Sequence, residues 1–452
     1  MDFLKNMFKT KPKAPDFNDI IEGDPIVFSH FKYPYLQRKC PYTTESLEIS
    51  PSERLEIQSL LLSSQKNYLS ATKFSSFLPD KLLKKPKKII IDTDLGTDVD
   101  DVLALLMAIH LDKEDVIILA ITTNYHPTLL RKRIIDEILQ KAGPPFDKIP
   151  VIAGPSALCG THREYFHHGN EGLGLDLGKK DLEELWKVNK SLEAPEFIYK
   201  TCKENPGEIT IVSIGIPTNL GLCAYINKDF QDLVGHIVVM GGGSLLTNDK
   251  RSSIKGKNLL DLPQKTTQIF SLKGETPEIL GFHLFPNHNI SGDTLASKFL
   301  FSCKCPISVI SHSITSRHWL EGLSIETLLH LKDSKLNNEI PLCGKMTFEW
   351  LRSRWGQRGQ CPHDPLTVYE AIYADNGDES FIFGKSALMY MRGTFVVHEW
   401  AGYMTFVGDP SGPHRMAISP KESDKWLKWL GDKLIENVSK EQLCDLWDGN
   451  LN

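Results

Sequence analysis

The stretch Ile89-Ile-Ile-Asp92-Thr93-Asp94-Leu95-Gly96-Thr97-Asp98-Val99-Asp100-Asp101 decides the fold, because it joins an apolar run to five carboxylates within ten residues. Three consecutive isoleucines indicate a short strand buried on both faces, which is typical of a parallel sheet covered by helices. The apolar run 102–109 then predicts a buried helix. The acids would therefore lie at the carboxyl end of a strand, where open α/β sheets bind their ligands.

The crowding of these acids indicates a bound cation. The positive end of the following helix offsets part of their mutual repulsion, but not all of it. Carboxylate oxygens are the ligands of hard cations, so Ca²⁺ or Mg²⁺ is expected. The competing explanation is a helix-capping acid with solvated neighbours, and it requires one acid rather than five.

Composition narrows the class of protein. With 452 residues, 41% of them hydrophobic, the chain can bury a large core. A net charge of −5 without a basic block argues against nucleic acid as a partner and favours small-molecule chemistry. Nine cysteines without a metal-binding spacing indicate free thiols. No run of signal-peptide or membrane-spanning length occurs, which predicts a cytoplasmic protein without a membrane partner, although leaderless export would look the same.

The order of patterns predicts one main domain. Residues 1–86 are rich in Lys, Ser and Pro, and we expect an N-terminal extension with a helix near 51–70. From residue 87, strands alternate with helical patterns, which predicts an open, mostly parallel sheet flanked by helices. The expected strands are 89–91, 116–121, 149–152, 209–214, 236–240 and 307–310, and the expected helices include 294–301, 348–355, 363–373 and one near 426–434. A polar insertion is predicted at about 245–280, and a β-rich segment at 393–419.

Several separated motifs occur together with the aspartate stretch. They are Ala153-Gly154-Pro155, His168-Gly169-Asn170, Gly215-Ile216-Pro217-Thr218-Asn219, Met240-Gly241-Gly242, Asn289-Ile290 with Asp293, and His363-Asp364-Pro365. In order and approximate spacing they resemble the nucleoside hydrolases, the inosine-uridine-preferring N-ribohydrolase superfamily, over roughly residues 87–435. The resemblance implies that residues 87–440 form a nucleoside-hydrolase-like domain.

The resemblance also implies a Ca²⁺ ion at the bottom of a ribose pocket. Its ligands would be the carboxylates of Asp94, Asp101 and Asp364 and the main-chain carbonyl of Thr218. Hydrolysis of an N-glycosidic bond requires an activated water and help for the departing base. Asp94 would take the proton of the water, and His363 would be the acid or stabiliser at the leaving group.

The same resemblance implies a set of substrate contacts. Asp100 and Asn289 would hold ribose hydroxyls, and His168 would line the same cavity. The family pattern Asp-x-Asp-Pro-Gly-x-Asp-Asp is altered here, because Leu95 replaces the proline and two residues, Asp98 and Val99, are inserted. Either Asp98 or Asp100 could therefore face the ribose. A structural alternative also stays open for Thr218, which could merely cap the helix that follows it.

A second departure concerns the ribose 5′ end. The family commonly has Glu-Phe-Asn where this chain has Asn287-His288-Asn289, and the loss of the acid removes a repulsion against an anionic 5′ substituent. We therefore hypothesise that a nucleotide or dinucleotide is accepted. Three arginines could support this, or could lie on a solvated helix face: Arg352, Arg354 and Arg358.

The sequence thus predicts Ca²⁺-dependent hydrolysis of the N-glycosidic bond of a nucleoside or related riboside, releasing the base and the ribose moiety. A second class is a catalytically inactive module that binds a metal and a ribosylated ligand. A third is a Mg²⁺ phosphatase of the haloacid-dehalogenase type, but Gly96 stands where that class requires Thr or Val. A small-molecule riboside is the expected partner, and a homo-oligomer is left open.

Overall fold

The computed structural model describes residues 86–96, 100–110, 115–156, 179–243, 281–284, 286–316, 361–374, 388–398, 402–409 and 411–420, with a few positions between 52 and 60. Most of the predicted N-terminal extension lies outside these residues. The polar stretch 245–280 and the predicted helices at 348–355 and near 426–434 also lie outside them.

The described strands form one sheet of ten. They are β1 (Lys87–Thr93), β2 (Val116–Thr123), β3 (Val151–Ala153), β4 (Ile209–Ser213), β5 (His236–Met240), β6 (Gly281–Leu284), β7 (Ile307–Ile310), β8 (Leu388–Val397), β9 (Met404–Gly408) and β10 (His414–Pro420). Their spatial order is β3-β2-β1-β4-β5-β7-β10-β8-β9-β6. The pairs from β3 to β10 are parallel, and those that join β8, β9 and β6 are antiparallel. The predicted open, mostly parallel sheet is confirmed.

The helices of the described residues connect and cover these strands. They are α1 (Asp100–His110), α2 (Thr128–Ala142), α3 (Lys179–Leu185), α4 (Glu193–Glu204), α5 (Thr218–Ile226), α6 (Phe230–Leu233), α7 (His288–Gly292), α8 (Thr294–Phe301), α9 (His312–Thr315) and α10 (His363–Tyr373). The predicted helices at 294–301 and 363–373 coincide with α8 and α10.

Strand β1 lies inside the sheet and separates two apolar layers. Its three isoleucines, Ile89, Ile90 and Ile91, are at most 1% exposed. Ile89 and Ile91 belong to a core that includes side chains of α1, α2 and α10, whereas Ile90 belongs to a core with α4 and α5. Burial on both faces is the property that the apolar run predicts.

Two expectations drawn from composition can be compared with the described residues. No helix among them is long and apolar enough to cross a bilayer. The five cysteines among them are free thiols, as expected: Cys202, Cys223, Cys303, Cys305 and Cys361.

The parallel arrangement fixes the place of the site. Strands β1, β4, β5 and β7 run in the same direction, so their carboxyl ends lie along one edge of the sheet. The segments that follow these ends begin with Asp94, Ile214, Gly241 and Ser311. Helix α10 packs against α1 and brings a late part of the chain to the same edge.

Candidate active site and metal centre

Three buried carboxylates meet at the carboxyl edge of the sheet. Asp100 and Asp101 open helix α1, and Asp364 lies in the first turn of α10. One ligand atom of each lies within 4.8 Å of the others. The Asp364 main-chain N–H donates to Asp100 Oδ2 across 3.4 Å, which joins segments 264 positions apart. We call Asp100, Asp101 and Asp364 the acid cluster.

The chemistry of the acid cluster fits a divalent cation. Its residues are 2%, 2% and 4% exposed, so their charges are largely removed from water. Buried carboxylates this close together are unfavourable unless a cation or bound protons compensate them. Thr93 helps to orient the Asp101 carboxylate, because its hydroxyl donates to Asp101 Oδ1 and accepts the Leu95 N–H at 3.0 Å. All three carboxylates of the acid cluster offer hard oxygen ligands, the kind that Ca²⁺ and Mg²⁺ prefer.

Asp94 lies beside the acid cluster rather than within it. Among the described residues, the group of mutually close ligand atoms contains Asp100 and not Asp94. Asp94 Oδ2 is 3.8 Å from His288 Nε2, and the His288 ring meets the Tyr125 ring edge-on with centroids 5.2 Å apart. The main-chain carbonyl of Asp94 accepts from the buried Arg131 guanidinium. The assignment of Asp94 as ligand and base stays a prediction.

Thr218 begins helix α5 at the same edge. Its side chain does not cap that helix, whose N-cap residue is Pro217. Instead the hydroxyl donates to Asp293 Oδ2 at 2.8 Å, while Asp293 Oδ1 accepts the Ala296 N–H at 3.1 Å as the N-cap of α8. The pair thus joins the starts of two helices, and the proposed ligand role of the Thr218 carbonyl stays a prediction.

Asp92 lies beneath the site in a network of amides. Its carboxylate accepts from Thr122 Oγ1 at 2.7 Å, Asn219 Nδ2 at 2.7 Å and Asn124 Nδ2 at 3.0 Å. Complete burial raises its pKa to about 6, and the three hydrogen bonds limit that rise. Asn124 Oδ1 in turn accepts the Ile216 N–H at 2.9 Å. The network therefore ties the ends of β1, β2 and β4 together.

Gly215 is required by this close packing. A Cβ atom at this position would lie 2.5 Å from Asn124 Oδ1 and 2.7 Å from the Asp94 main-chain nitrogen. Any side chain here would displace either the amide network or the loop that carries Asp94.

Asn289 presents one defined polar atom. Its Nδ2 donates to the carbonyls of Ile214 at 3.1 Å and Met240 at 3.0 Å. Both amide hydrogens are thereby used by the backbone. Oδ1 is then the atom that could accept a hydrogen bond from a ligand hydroxyl.

Asn287 is occupied by the fold. Its Oδ1 accepts the N–H groups of Ile290 and Gly242, each at 3.1 Å, and so caps helix α7 and holds the end of β5. The position at which the family has an acid therefore carries a neutral structural amide.

His363 is oriented by two residues that follow strand β7. Its Nδ1 lies 2.5 Å from Thr315 Oγ1. The ring of His312 stacks on it at 5.2 Å between centroids with an interplanar angle of 28°. His363 immediately precedes Asp364, so it shares a helix start with one member of the acid cluster.

Other predicted site residues lie outside the described residues. These are Asp98, in the two-residue insertion, and His168. The three candidate arginines of the segment before α10 also lie outside them: Arg352, Arg354 and Arg358.

The sequence does not single out several residues that build the site. Asn124, Arg131, His312 and Thr315 reach it from three separate segments with no characteristic spacing. A signal was available for Asn219 only, because it is the last residue of the motif that contains Thr218.

Comparisons with known proteins agree with this geometry. The model of the family described as inosine-uridine preferring nucleoside hydrolase matches residues 89–419. A probable uridine nucleosidase of Arabidopsis thaliana is 27% identical over 302 residues, which are 63% of this chain and 77% of that protein. The inosine-uridine preferring nucleoside hydrolase of Crithidia fasciculata is 31% identical over 193 residues, 41% of this chain and 57% of that protein.

A solved plant nucleoside hydrolase shares the fold. It superposes with a TM-score of 0.53 at 23% identity, and the match covers 77% of this chain and 99% of that structure. The family match spans well over half of the chain and includes the acid cluster, Asn289 and His363. The chain therefore belongs to the inosine-uridine preferring nucleoside hydrolase family and is a hydrolase that acts on N-glycosidic bonds.

Proposed function

We propose that the protein hydrolyses the N-glycosidic bond of a ribonucleoside or its 5′-phosphate with Ca²⁺ in the acid cluster. The observation that carries this proposal is the meeting of three buried carboxylates from the starts of α1 and α10, with His363 next to Asp364 at the start of α10. A cation site and a candidate proton donor on adjacent residues are what cleavage of a ribosyl–nitrogen bond requires.

The ribose would be held by atoms whose other bonds are already fixed. Asn289 has both amide hydrogens on backbone carbonyls, so Oδ1 would accept a ribose hydroxyl. Asp100 lies in the acid cluster and could contact the ribose, the cation or both. A rigid contact of this kind lowers the entropy cost of placing C1′ for attack.

The cation would be held by Asp101 and Asp364, with Asp94 and the carbonyl of Thr218 as the further proposed ligands. When bound, Ca²⁺ supplies Lewis acidity, which lowers the pKa of a water molecule in the site. Asp94 would accept the proton of the attacking water. Its carboxylate is buried beside His288 at the carboxyl edge of the sheet.

On the other side of the sugar, His363 would donate a proton to the departing base. The oxygen of the attacking water bonds to C1′ while the C1′–N bond breaks, and the electron pair of that bond moves to the base nitrogen, which takes the His363 proton. Solvent then restores the proton of His363 and removes the one held by Asp94. The products are the free base and the ribose moiety.

A substrate panel tests this function. Base release would be measured for uridine, inosine, their 5′-phosphates and NAD, with Ca²⁺ present. Asp94→Asn should lower kcat at least about 100-fold, because it removes the proposed base. Asp136→Asn is the matched control, since Asp136 pairs with Lys132 on the surface of α2. Binding of these ligands without base release would instead favour an inactive module.

We also propose that the enzyme accepts a 5′-phosphate better than a free 5′-hydroxyl. Asn287 brings no charge to the 5′ end, and its amide is held by two backbone N–H groups. The supporting experiment compares kcat/KM for uridine and its 5′-phosphate. Equal or faster hydrolysis of the nucleoside would contradict the proposal.

Asn287→Asp sharpens this comparison. An aspartate can still accept the two N–H groups that Asn287 accepts, so the capping interaction is kept. The added negative charge should reduce kcat/KM for the 5′-phosphate about 10-fold and leave the value for uridine within about twofold.

Two further predictions from the sequence stay predictions. They are the cytoplasmic location and the absence of a nucleic-acid partner. Cell fractionation and a gel-shift assay would test them, and light scattering would determine the oligomeric state.

A further inference from the structure

We propose that Thr315 is a positioning residue for His363: its hydroxyl oxygen holds Nδ1 of the imidazole, so that Nε2 is the nitrogen directed to the departing base. This inference rests on the proposed function, because it assigns the partner of the proposed proton donor.

The Thr315 hydroxyl lies at hydrogen-bond distance from the His363 ring. Thr315 Oγ1 and His363 Nδ1 are 2.5 Å apart, and Thr315 is completely buried. A buried hydroxyl at hydrogen-bond distance fixes the rotation of an imidazole ring, because turning the ring over would break the bond. Only one of the two ring nitrogens can then point away from Thr315.

The other partners of the Thr315 hydroxyl allow its oxygen to accept a hydrogen bond from His363. The Thr315 hydroxyl can donate to the Ser311 carbonyl at 3.4 Å or to the His312 carbonyl at 3.5 Å. Its oxygen can therefore accept the Nδ1–H of His363. In this arrangement Nδ1 keeps its proton, and Nε2 is the nitrogen that can give a proton up.

Helix α9 holds the His363 ring through two contacts. Helix α9, which carries Thr315, directly follows β7, and its first residue His312 stacks on the His363 ring. The contact with Thr315 fixes the rotation of the ring, and the stack limits its tilt. Both come from the sheet edge that carries the acid cluster.

The chemistry requires this orientation only for some substrates. A nucleoside base leaves as a nitrogen anion that is more basic than 4-nitrophenolate unless it is protonated while the C1′–N bond breaks. A 4-nitrophenolate is stable without protonation, so 4-nitrophenyl riboside does not depend on the donor. The choice of leaving group therefore separates positioning of the donor from general damage to the site.

The test measures kcat for uridine and for 4-nitrophenyl riboside. Thr315→Val should lower kcat on uridine at least about 10-fold and leave kcat on 4-nitrophenyl riboside within about twofold. Thr315→Ser should restore hydrolysis of uridine because it retains the hydroxyl. An equal loss on both substrates, or no rescue by serine, would overturn the proposal.

Thr367→Val provides the matched control. The Thr367 hydroxyl donates at 3.0 Å to the main-chain carbonyl of His363 and does not touch its ring. This variant removes a buried hydroxyl from the same helix turn. It should therefore change hydrolysis of the two substrates by the same factor.

A second readout keeps the inference separate from the proposed function. If the wild type releases no base from any nucleoside or nucleotide, the proposed function fails. The bond can still be measured by ¹⁵N NMR of labelled histidine, with His363→Gln used for assignment. The His363 Nδ1 resonance should shift in Thr315→Val and return in Thr315→Ser. An unchanged resonance in Thr315→Val would overturn the inference.

Discussion

Asp92 and Asp101 have the same side chain but opposite roles, because their neighbours differ. The Asp92 carboxylate accepts hydrogen bonds from the neutral donors of Thr122, Asn124 and Asn219 and has a structural role beneath the site. Asp101 lies nine positions later with two further carboxylates and is a candidate cation ligand. Neutral hydrogen-bond donors stabilise the carboxylate of Asp92, whereas the carboxylates around Asp101 require a cation to offset their mutual repulsion.

The Thr93 hydroxyl is expected to strengthen cation binding through Asp101. Its hydroxyl donates to Asp101 Oδ1, and this bond limits the rotation of the carboxylate. Partners of ligands typically contribute about 10-fold to 100-fold in metal affinity. Thr93→Val should therefore weaken Ca²⁺ binding, measured by calorimetry, by at least about 10-fold.

Thr93→Ser is the control, because it keeps the hydroxyl and loses only a methyl group. Its Ca²⁺ affinity should lie within about threefold of that of the wild type. If valine and serine weaken Ca²⁺ binding equally, the hydroxyl does not orient Asp101.

The sequence predicts the acids of the site better than their partners. Asp100 and Asp101 stand out because carboxylates beside an apolar run need an explanation, and Asp364 is found through the family resemblance. Thr315 and Asn124 do not stand out, since a threonine in a short helix or an asparagine after a strand is ordinary until the fold places it against a distant side chain. The contact of Thr315 with His363 spans 48 positions, and no local pattern encodes it.

Among the elements, strand identity could be predicted more fully than strand pairing. The predicted strands at 236–240 and 307–310 coincide with β5 and β7. The β-rich segment near the end was also expected, but its place was not. Strand β10 continues the main sheet by pairing parallel to β7, and β8, β9 and β6 follow antiparallel. Such pairing depends on packing between distant segments rather than on the alternation within each strand.

His414 joins strand β10 to β8 and to the segment that precedes β7. Its Nε2–H donates to the Cys303 carbonyl at 2.9 Å, and its Nδ1 accepts the Phe395 N–H at 3.3 Å. The ring also lies among aromatic side chains, with the Phe395 centroid 6.0 Å away. Burial lowers the pKa of His414 from 6.5 to about 4, despite the opposing bond to Cys303.

The lowered pKa predicts acid sensitivity. Between pH 6.5 and about 4 the unfolded chain holds the His414 proton and the folded chain does not. The free energy of unfolding therefore falls as the pH falls, by about 2 kcal/mol from pH 7 to pH 5. Urea unfolding should show this slope in the wild type and a weaker one in His414→Gln. Equal slopes in both proteins would exclude His414 as the source.

The acid cluster connects parts of the chain that are far apart in sequence. Asp100 and Asp101 begin the helix after the first strand of the sheet, and Asp364 begins a helix more than 260 positions later. The family match includes both helices and excludes the phosphatase alternative that the Asp-x-Asp pattern also allowed. A cation bound by the acid cluster would therefore link helix α1 to helix α10.

Ca²⁺ should accordingly stabilise α1 and α10 together. Ligand present at 100 times its dissociation constant adds about 2.7 kcal/mol to the free energy of unfolding. Hydrogen exchange should slow in both helices on addition of Ca²⁺, and the melting temperature should rise. Asp101→Asn should lose most of this response, because one of three close carboxylates is neutralised, whereas Asp136→Asn on the surface of α2 should keep it. Slowing in α1 alone would show that Asp364 does not share the ion, and the two helices would then be joined by packing rather than by a common ligand.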